Sequence, residues 1–302
     1  MDNVDVKNVL ITGATGMVGS ALTESLQDAG YAVYALSRND SDSPFYYSEE
    51  SNDIRLDPNL PLYAVVNLAG PSLADKRWTA KYKKHLLDSR IRLTTALSMA
   101  LSRQASKPKL LISASAIGYY GLTGNNVVNE DSPTGDDFLA DIAQQWEEAT
   151  APAEGAGINT IHLRLGVVLS KRGGMLKKLL LPFKLGLGGR VGDGKQYISW
   201  ISLSDVLQAV QFLIQQNPQT DPLNLVAEEP VTNEEFSRQL GRALHRPSFL
   251  PMPKFIVRLL FGEMGDTLLL GSSRVKSSKL KPLGINLLHP TLDSALHAIF
   301  ES

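Results

Sequence analysis

The chain of 302 residues contains no cysteine. Disulfide bonds, thiolate catalysis and cysteine-ligated metal sites are therefore excluded for this sequence. Neither sign of charge is in large excess, because the sequence has 30 basic and 31 acidic residues and a formal net charge of −1. Such a balance gives no general attraction to nucleic acid or to acidic membranes, and we expect neither as a partner.

Long apolar runs are missing as well. No run approaches the ~18 apolar residues that a membrane-spanning helix needs. The acidic first residues lack the apolar segment of a signal peptide, so we expect a cytoplasmic protein. The five histidines show no zinc-binding spacing and no Gly-x-Ser-x-Gly sequence occurs, so we expect neither a metal site nor hydrolase chemistry.

The first informative pattern joins a buried strand, a glycine turn and a helix start. The apolar run Val9-Leu10-Ile11 is typical of a central parallel strand, and residues 12–19 follow it with the spacing Gly-x-x-Gly-x-x-Gly. The glycines allow a sharp turn, the approach of a phosphate and close packing of the next helix. A helix start also offers free N–H groups and a positive dipole end to a pyrophosphate.

This turn predicts a dinucleotide site, although a tight strand–helix turn without a ligand has the same pattern. The predicted contacts in the turn are Gly13, Thr15, Gly16, Met17 and Val18. A second glycine-rich sequence, at residues 189–195, is similar to a phosphate-binding loop. However, Gln196 replaces the Ser or Thr that would hold magnesium, so hydrolysis of ATP or GTP is not expected.

The end of the second strand, predicted at residues 31–36, indicates which dinucleotide binds. NAD-specific folds carry an Asp or Glu there, which accepts hydrogen bonds from the ribose hydroxyls. Here the position holds Ser37 and Arg38, and a guanidinium pairs well with the 2′-phosphate of NADP. We therefore predict NADP(H) as the cofactor. Asp40 is an alternative ribose partner, and a plain exposed arginine is the other interpretation of Arg38.

Strands and helices alternate along the first half of the chain. Residues 40–59 form a polar stretch with little periodicity, and the remaining segments are predicted as strands at 64–70, 109–115 and 160–165 and as helices at 79–104 and 138–153. This alternation predicts an α/β fold with a Rossmann-like, doubly wound parallel sheet. Later in the chain, Asp205 is predicted to cap a helix, or else to order the loop near Trp200, and Thr232 begins a capping box.

Several short sequences are shared with a known family. They are Asn67-Leu68-Ala69-Gly70, Arg77-Trp78-Thr79, Ser89-Arg90, Ser113-Ala114-Ser115-Ala116, Gly118-Tyr119-Tyr120-Gly121, Trp146-Glu147, residues 181–189 and Ser199-Trp200-Ile201. With the glycine turn they make the chain resemble the atypical, epimerase-like branch of the short-chain dehydrogenase/reductase superfamily, over nearly its whole length. The resemblance implies an NADP(H)-binding domain and a smaller C-terminal α/β lobe over a cleft.

The resemblance also implies particular boundaries and contacts. We predict the NADP-binding domain at residues 1–165, with 198–226 packing back on it, and the substrate lobe at 166–197 and 227–302. Nucleotide contacts are implied for Ser37, Arg38, Leu68, Ala69 and Arg90, and a plain surface salt bridge is the other interpretation of Arg90. A monomer or a homodimer is compatible with the resemblance.

The usual members of the family use a Ser, a Tyr and a Lys for proton transfer. Counting back from Trp146-Glu147, the Tyr and Lys positions fall on Leu139 and Ala143, or on Phe138 and Ile142 in the neighbouring register. Neither pair can transfer a proton. The usual Tyr-x-x-x-Lys dyad is therefore missing.

Three polar candidates remain for catalysis. Ser115 is predicted to form a hydrogen bond with a substrate oxygen, or else to cap its strand. Either Tyr119 or Tyr120 is predicted to replace the lost acid, and the alternative for each is packing as an aromatic side chain. Two functions follow. The first is an NADP(H)-dependent oxidoreductase or epimerase acting on a small polar or nucleotide-linked molecule. The alternative, based on the missing dyad, is a non-catalytic NADP(H)-binding sensor or partner-binding protein.

Overall fold

The structure is a computed structural model that describes residues 6–301, and the acidic first residues used above lie outside this range. The strands are β1 (Asn8–Thr12), β2 (Ala32–Ala35), β3 (Phe45–Ser48), β4 (Asp53–Leu56), β5 (Leu62–Asn67), β6 (Leu110–Ala116), β7 (Val127–Val128), β8 (Asn159–Leu165), β9 (Val167–Leu169), β10 (Tyr197–Ile198), β11 (Trp200–Ser202), β12 (Leu223–Leu225), β13 (Val231–Thr232) and β14 (Arg274–Val275). The α-helices are α1 (Met17–Asp28), α2 (Ala80–Ser102), α3 (Phe138–Glu148), α4 (Ala151–Gly155), α5 (Gly174–Lys184), α6 (Leu203–Gln216), α7 (Asn233–Ala243), α8 (Lys254–Phe261), α9 (Glu263–Leu268) and α10 (Leu292–Glu301).

Six strands form the central sheet, in the order β12–β8–β6–β5–β1–β2. Every pairing in this sheet is parallel. Leu22 of α1 and Leu213 of α6 are buried on one face, and Leu97 of α2 and Ala153 of α4 are buried on the other. Helices on both faces of a parallel sheet confirm the predicted Rossmann-like, doubly wound fold.

A second core lies beside the sheet and forms the smaller C-terminal lobe. Leu176 of α5, Phe236 of α7, Leu296 of α10 and the Trp200 indole pack together there, almost completely buried. Between these elements the chain returns to the sheet as α6 and β12. The domain limits given above stay a prediction.

The polar stretch at residues 40–59 contains an unexpected antiparallel hairpin, β3–β4. Phe45 and Tyr47 on β3 and Ile54 and Leu56 on β4 are buried against the α2 side of the sheet. The expectation of little periodicity is wrong for β4, where Ile54 and Leu56 alternate with Asp53 and Arg55 at the period of two that marks a half-buried strand. In β3 the burial alternates in the same way, although three successive aromatic residues hide the pattern in the sequence.

Two helix boundaries also differ from the sequence expectations. The helix predicted at residues 138–153 is divided into α3 and α4, and Pro152 lies in the first turn of α4. Proline cannot donate the backbone hydrogen bond that a continuous helix needs there. Thr232 is confirmed as the N-cap of α7, since its hydroxyl accepts the Glu235 N–H at 3.2 Å. The Glu235 carboxylate, which would complete the predicted capping box, instead accepts hydrogen bonds from Arg238 and Gln239.

The predicted capping role of Asp205 is wrong. Ser202 is the N-cap of α6, and its hydroxyl accepts the Asp205 N–H at 3.0 Å. The fully buried Asp205 carboxylate instead accepts hydrogen bonds from the Ser202 hydroxyl and from the Leu288 backbone N–H. It therefore fastens the segment before α10 to the start of α6.

Within residues 6–301, none of the helices combines the length and the apolar character needed to cross a membrane.

Candidate functional site

The glycine turn between β1 and α1 has no room for side chains at its key positions. Gly13 has a φ of +69°, and a Cβ there would lie 2.9 Å from the Leu68 carbonyl oxygen. A Cβ on Gly19 would lie 2.2 Å from the Gly13 carbonyl oxygen, so α1 packs directly on the turn. The N-cap residue Gly16 has no capping side chain, and the first N–H groups of α1 remain available to an anion. This cradle fits a pyrophosphate.

Gly19→Ala is expected to lower the free energy of unfolding by about 1–3 kcal/mol, the usual cost of overpacking. The atoms that the new methyl group meets belong to the backbone of Gly13 and Ala14, which cannot rotate away. Gly155→Ala is the matched control, because the Gly155 Cβ position has no neighbour within 4 Å. Urea unfolding of both variants measures the difference, and equal stabilities would contradict the close packing.

The loop after β5 is fixed beside this turn. The Thr12 hydroxyl accepts the N–H groups of Leu68 and Ala69, both at 3.1 Å, and donates to Asn67 Oδ1 at 2.6 Å. Asn67 in turn donates to the Thr94 hydroxyl of α2 at 2.9 Å. The backbone at Leu68 and Ala69, for which the resemblance implies nucleotide contacts, is thereby held against the turn at the carboxyl edge of the sheet.

Ser37 and Arg38 lie just past β2, at the same edge of the sheet as the glycine turn. The Ser37 hydroxyl accepts the Asp40 N–H at 3.0 Å. Arg38 meets the Glu49 carboxylate at 3.2 Å, and both side chains are more than 60% exposed. Because exposed ion pairs are weak, the guanidinium is free to exchange this carboxylate for a ligand phosphate. Asp40, the alternative ribose partner, accepts the Asp42 N–H through its carboxylate.

Arg90, on α2, supports the loop after β5 through hydrogen bonds. Its buried guanidinium donates to the carbonyl oxygens of Leu86 and Pro71, at 2.9 and 2.8 Å. It also fills the space beside Gly70, where a Cβ would lie 3.1 Å from the Arg90 Cζ atom. Burial lowers the pKa of Arg90 to about 10. The structure thus gives Arg90 a part in shaping the loop, and its implied contact with a nucleotide stays a prediction.

Ser115 belongs to a buried polar network at the end of β6. Its hydroxyl donates to Glu147 Oε1 at 2.6 Å. Glu147 also receives two hydrogen bonds from Arg164, each 2.8 Å long. Burial disfavours the charged guanidinium, but the hydrogen bonds and charge of Glu147 raise the pKa of Arg164 above its ordinary value. Since its one proton points at Glu147, the Ser115 hydroxyl can only accept a hydrogen bond from a ligand.

The structure separates the two adjacent tyrosines. The Tyr120 hydroxyl is buried, accepts from Arg164 Nη1 at 2.9 Å and donates to Asn224 Oδ1 at 2.7 Å. Burial raises the pKa of Tyr120, against the opposing effect of Arg164. The partly exposed Tyr119 places its ring centroid 3.4 Å from the Arg164 Cζ atom. Among the residues that the structure describes, none is hydrogen-bonded to the Tyr119 hydroxyl, which is therefore the available phenol.

The comparisons with known proteins identify the family of this chain. Residues 9–225 match the NAD dependent epimerase/dehydratase family, and residues 252–299 match a domain of unknown function, DUF1731. The chain belongs to the NAD-dependent epimerase/dehydratase family. The atypical, epimerase-like resemblance is thereby confirmed, and the family supports a cofactor of the NAD(P) type.

Relatives in this family match almost the whole chain. The epimerase family protein Mb2239 of Mycobacterium bovis is 41% identical over 290 residues, which cover 95% of this chain and 96% of the relative. YfhF of Bacillus subtilis, also an epimerase family protein, is 36% identical and covers 96% of each chain.

Two solved structures are also similar. The human epimerase family protein SDR39U1 (isoform 2), solved with NADPH, has a TM-score of 0.89 and 32% identity, covering 98% of this chain and 99% of its own. A nucleoside-diphosphate sugar epimerase from Corynebacterium glutamicum has a TM-score of 0.77 and 30% identity, covering 98% of this chain and 59% of its own.

In this epimerase/dehydratase chain, apolar packing occupies the positions where the usual dyad would stand. Ala143 and Ile142 are buried, and Leu139 and Phe138 pack in the cluster around Trp78. A Cβ on Gly118 would lie 3.0 Å from the Leu139 Cβ atom, so the turn after β6 closes on α3 there. Neither of the two possible alignments of the Tyr-x-x-x-Lys dyad therefore supplies an acidic or basic side chain.

Glu147 and Arg164 were not among the candidates from the sequence. Arg164 carries a signal that could have identified it, because a charged residue inside an apolar strand must find a buried partner. Glu147 served only as a family marker. Within residues 6–301, no group of three or more histidine, aspartate or glutamate side chains is placed to hold a metal ion.

Proposed function

We propose that this chain binds NADP(H) and catalyses hydride transfer to or from a small-molecule carbonyl or alcohol, as an oxidoreductase or an epimerase. The observation that carries the proposal is the free Tyr119 phenol stacked on Arg164, at the same edge of the sheet as the glycine turn. When bound, NADP(H) supplies or accepts the hydride. The free N–H groups at the start of α1 would hold its pyrophosphate.

The choice of NADP over NAD rests on Ser37 and Arg38. In this chain a cation and a hydroxyl occupy the position where NAD-specific folds carry a carboxylate. The Glu49 partner of Arg38 is exposed and easily replaced by the 2′-phosphate. The NADPH in the structure of the human relative supports the same choice.

Arg38→Ala is expected to weaken NADPH binding roughly 10- to 100-fold, the value of a charge-assisted hydrogen-bonding pair. NADH lacks the 2′-phosphate, so its affinity should change much less. Fluorescence titration with both nucleotides measures the ratio. Glu49→Ala is the matched control, since it removes only the competing carboxylate and should leave NADPH affinity unchanged or higher. Equal losses for NADPH and NADH in Arg38→Ala would rule out the 2′-phosphate contact.

Tyr119 is the proposed proton donor. Hydride addition to a carbonyl leaves an alkoxide that needs a proton, and a positioned phenol can supply it. The guanidinium of Arg164 lies 3.4 Å from the centroid of the Tyr119 ring and holds the phenol in position. Arg164 thus takes the place of the missing lysine. Ser115 complements the pair by accepting a hydrogen bond from the substrate hydroxyl.

The apolar filling at Leu139 and Ala143 favours a second candidate, a non-catalytic NADP(H)-binding sensor. One experiment separates the two functions. The purified protein is incubated with NADPH and a panel of carbonyl compounds and sugar nucleotides, and cofactor oxidation and product configuration are followed. Tight NADPH binding without turnover of any substrate favours the sensor. Turnover that is lost in Ser115→Ala excludes it.

A further inference from the structure

His162 lies on β8 two residues before Arg164, and both side chains point to the same face of the sheet because successive side chains of a strand alternate. The imidazole is buried, with only 6% of the residue exposed. The strand register places Ser113 opposite His162 and Ser115 opposite Arg164. His162 therefore occupies the next position along the polar row that contains the candidate active site.

Both ring nitrogens of His162 face hydrogen-bond acceptors. Nδ1 lies 3.0 and 2.9 Å from the two carboxylate oxygens of Asp221, and Nε2 lies 3.2 Å from the Glu147 carbonyl oxygen. An ionised carboxylate and a carbonyl oxygen cannot donate a hydrogen bond, so each ring nitrogen has to carry its own proton. An imidazole with two N–H groups is positively charged.

The Thr150 hydroxyl, 2.8 Å from Nε2, agrees with this protonation state. The same hydroxyl lies 2.7 Å from the Glu147 carbonyl oxygen and 2.5 Å from Glu154 Oε1, and both of these atoms are acceptors. Because a threonine hydroxyl has one proton, that proton is directed to these oxygens and the hydroxyl accepts from His162. His162 thus donates to the end of α3, where the helix dipole favours a cation.

Charged groups face His162 from several segments. Asp221, in the segment before β12, lies 2.9 Å from Nδ1, and Glu154 of α4 lies 3.7 Å from Nε2. The carboxylate of α3 that pairs with Arg164 adds a third anion. The cations are Arg164 itself and Lys279, which donates to the Asp221 carbonyl oxygen at 2.8 Å. Three carboxylates and two cations therefore surround the imidazole.

These charges decide the pH range in which His162 is protonated. Burial alone would lower the pKa of His162, but the hydrogen bond and charge of Asp221 and the charges of Glu147 and Glu154 raise it above its ordinary value. A raised pKa in the folded state contributes stability that is fully present below the unfolded-state pKa of about 6.5. That stability is lost as the pH rises through the folded-state pKa. The contact of His162 with α3 is therefore stronger at pH 6 than at pH 9.

The residue whose carbonyl group His162 contacts also organises the candidate active site. The Glu147 carboxylate accepts hydrogen bonds from the Ser115 hydroxyl and from two nitrogens of Arg164. Arg164 in turn contacts the face of the Tyr119 ring. A displacement at the end of α3 would therefore reach both Ser115 and Tyr119.

We propose that protonated His162 is a positioning residue of the candidate active site. It joins Asp221 to the end of α3 and thereby keeps the Glu147 carboxylate on Ser115 and Arg164. When His162 loses a proton, Nε2 has no hydrogen to donate to the Glu147 carbonyl oxygen, and the end of α3 is held less firmly. The effect on turnover rests on the proposed function, whereas the effect on stability does not.

Urea unfolding of the full-length protein from pH 6 to pH 9 tests the charge of His162. His162→Gln offers an amide N–H in place of Nε2 but cannot titrate. The unfolding equilibrium constant of this variant, divided by that of the wild type, should fall by roughly threefold or more from pH 6 to pH 9, because only the wild type loses a stabilising proton. His297→Gln is the matched control. Its ratio should change by less than roughly twofold, since His297 and its partner Glu301 on α10 are both more than 60% exposed.

Turnover separates a positioning role from a merely structural one. On a substrate of the carbonyl panel, His162→Leu should lower kcat roughly 10-fold or more, because a misplacement of about 1 Å can cost roughly 100-fold. The NADPH dissociation constant should stay unchanged, since the glycine turn follows β1 and two strands separate β1 from β8. His162→Gln should restore kcat to within roughly threefold of the wild type, and its activity should persist to higher pH.

A ratio of unfolding constants that is independent of pH would overturn the proposal, whatever the variants do to turnover. Equal kcat values for the wild type and His162→Leu would also overturn it, as would a parallel loss of NADPH affinity. If NADPH binds tightly and no substrate is turned over, the proposed function fails. A ratio that still falls with pH would then support His162 as the residue that holds Glu147 in a non-catalytic protein.

Discussion

Tyr119→Phe is expected to lower kcat by roughly 100-fold or more, the contribution of a positioned general acid. The hydroxyl is the only group removed, because the ring and its contact with Arg164 remain. The NADPH dissociation constant should therefore stay unchanged. Measured on whichever substrate of the carbonyl panel is turned over, the loss should appear in kcat.

Tyr120→Phe is the matched control. Its hydroxyl lies in the buried network, so its removal leaves Arg164 and Asn224 each without one hydrogen bond. We expect a loss of about 1–3 kcal/mol in the free energy of unfolding and little change in the chemical step. Equal losses of kcat in the two variants would show that Tyr119 is not the acid.

Glu147→Ala is expected to lower the free energy of unfolding by about 3–5 kcal/mol, the cost of leaving one partner of a buried ion pair alone. Arg164 is 4% exposed and Glu147 is 12% exposed, so the guanidinium that loses its carboxylate stays largely shielded from water. The same change also frees the Ser115 hydroxyl proton. Urea unfolding measures the loss in the free energy of unfolding, and an unchanged m-value shows that the change is one of stability.

Two control variants test whether the buried ion pair accounts for the stability loss of Glu147→Ala. Glu234→Ala breaks an ion pair with Arg190 in which both side chains are about half exposed, and it should cost no more than about 1 kcal/mol. The double variant Glu147→Met with Arg164→Met should recover much of the loss, because buried pairs are often replaced by apolar side chains at little cost. A Glu147→Ala protein as stable as the wild type would contradict the buried pair.

The sheet and the glycine turn could be predicted from the sequence because their signals are local. The pattern of a buried strand, such as residues 9–11, occupies only a few consecutive residues. The same is true of a turn whose backbone conformation requires glycine. The β3–β4 hairpin was missed because its alternation is short and is surrounded by polar residues. Asp205 was misassigned because Ser202, three residues earlier, competes for the same capping role and the sequence does not say which side chain turns inward.

The candidate site was less predictable for a different reason. Glu147 and Arg164 are 17 positions apart and lie on a helix and a strand, so only the tertiary fold brings them together. Tyr119 and Tyr120 are adjacent in sequence and indistinguishable by residue type. Their environments differ because the turn after β6 points one phenol toward Asn224 and lays the other ring over the guanidinium.

The path of the chain between the sheet and the lobe has a consequence for proteolysis and truncation. After contributing α5 to the lobe core, the chain returns to the sheet as α6 and β12 and then supplies α7 and α10 to the lobe. Leu280 and Ile285 pack against the sheet between those last two helices. A single protease cut near β12 should therefore leave two fragments that stay associated. A chain ending after β12 would expose the buried side of α5 and should aggregate.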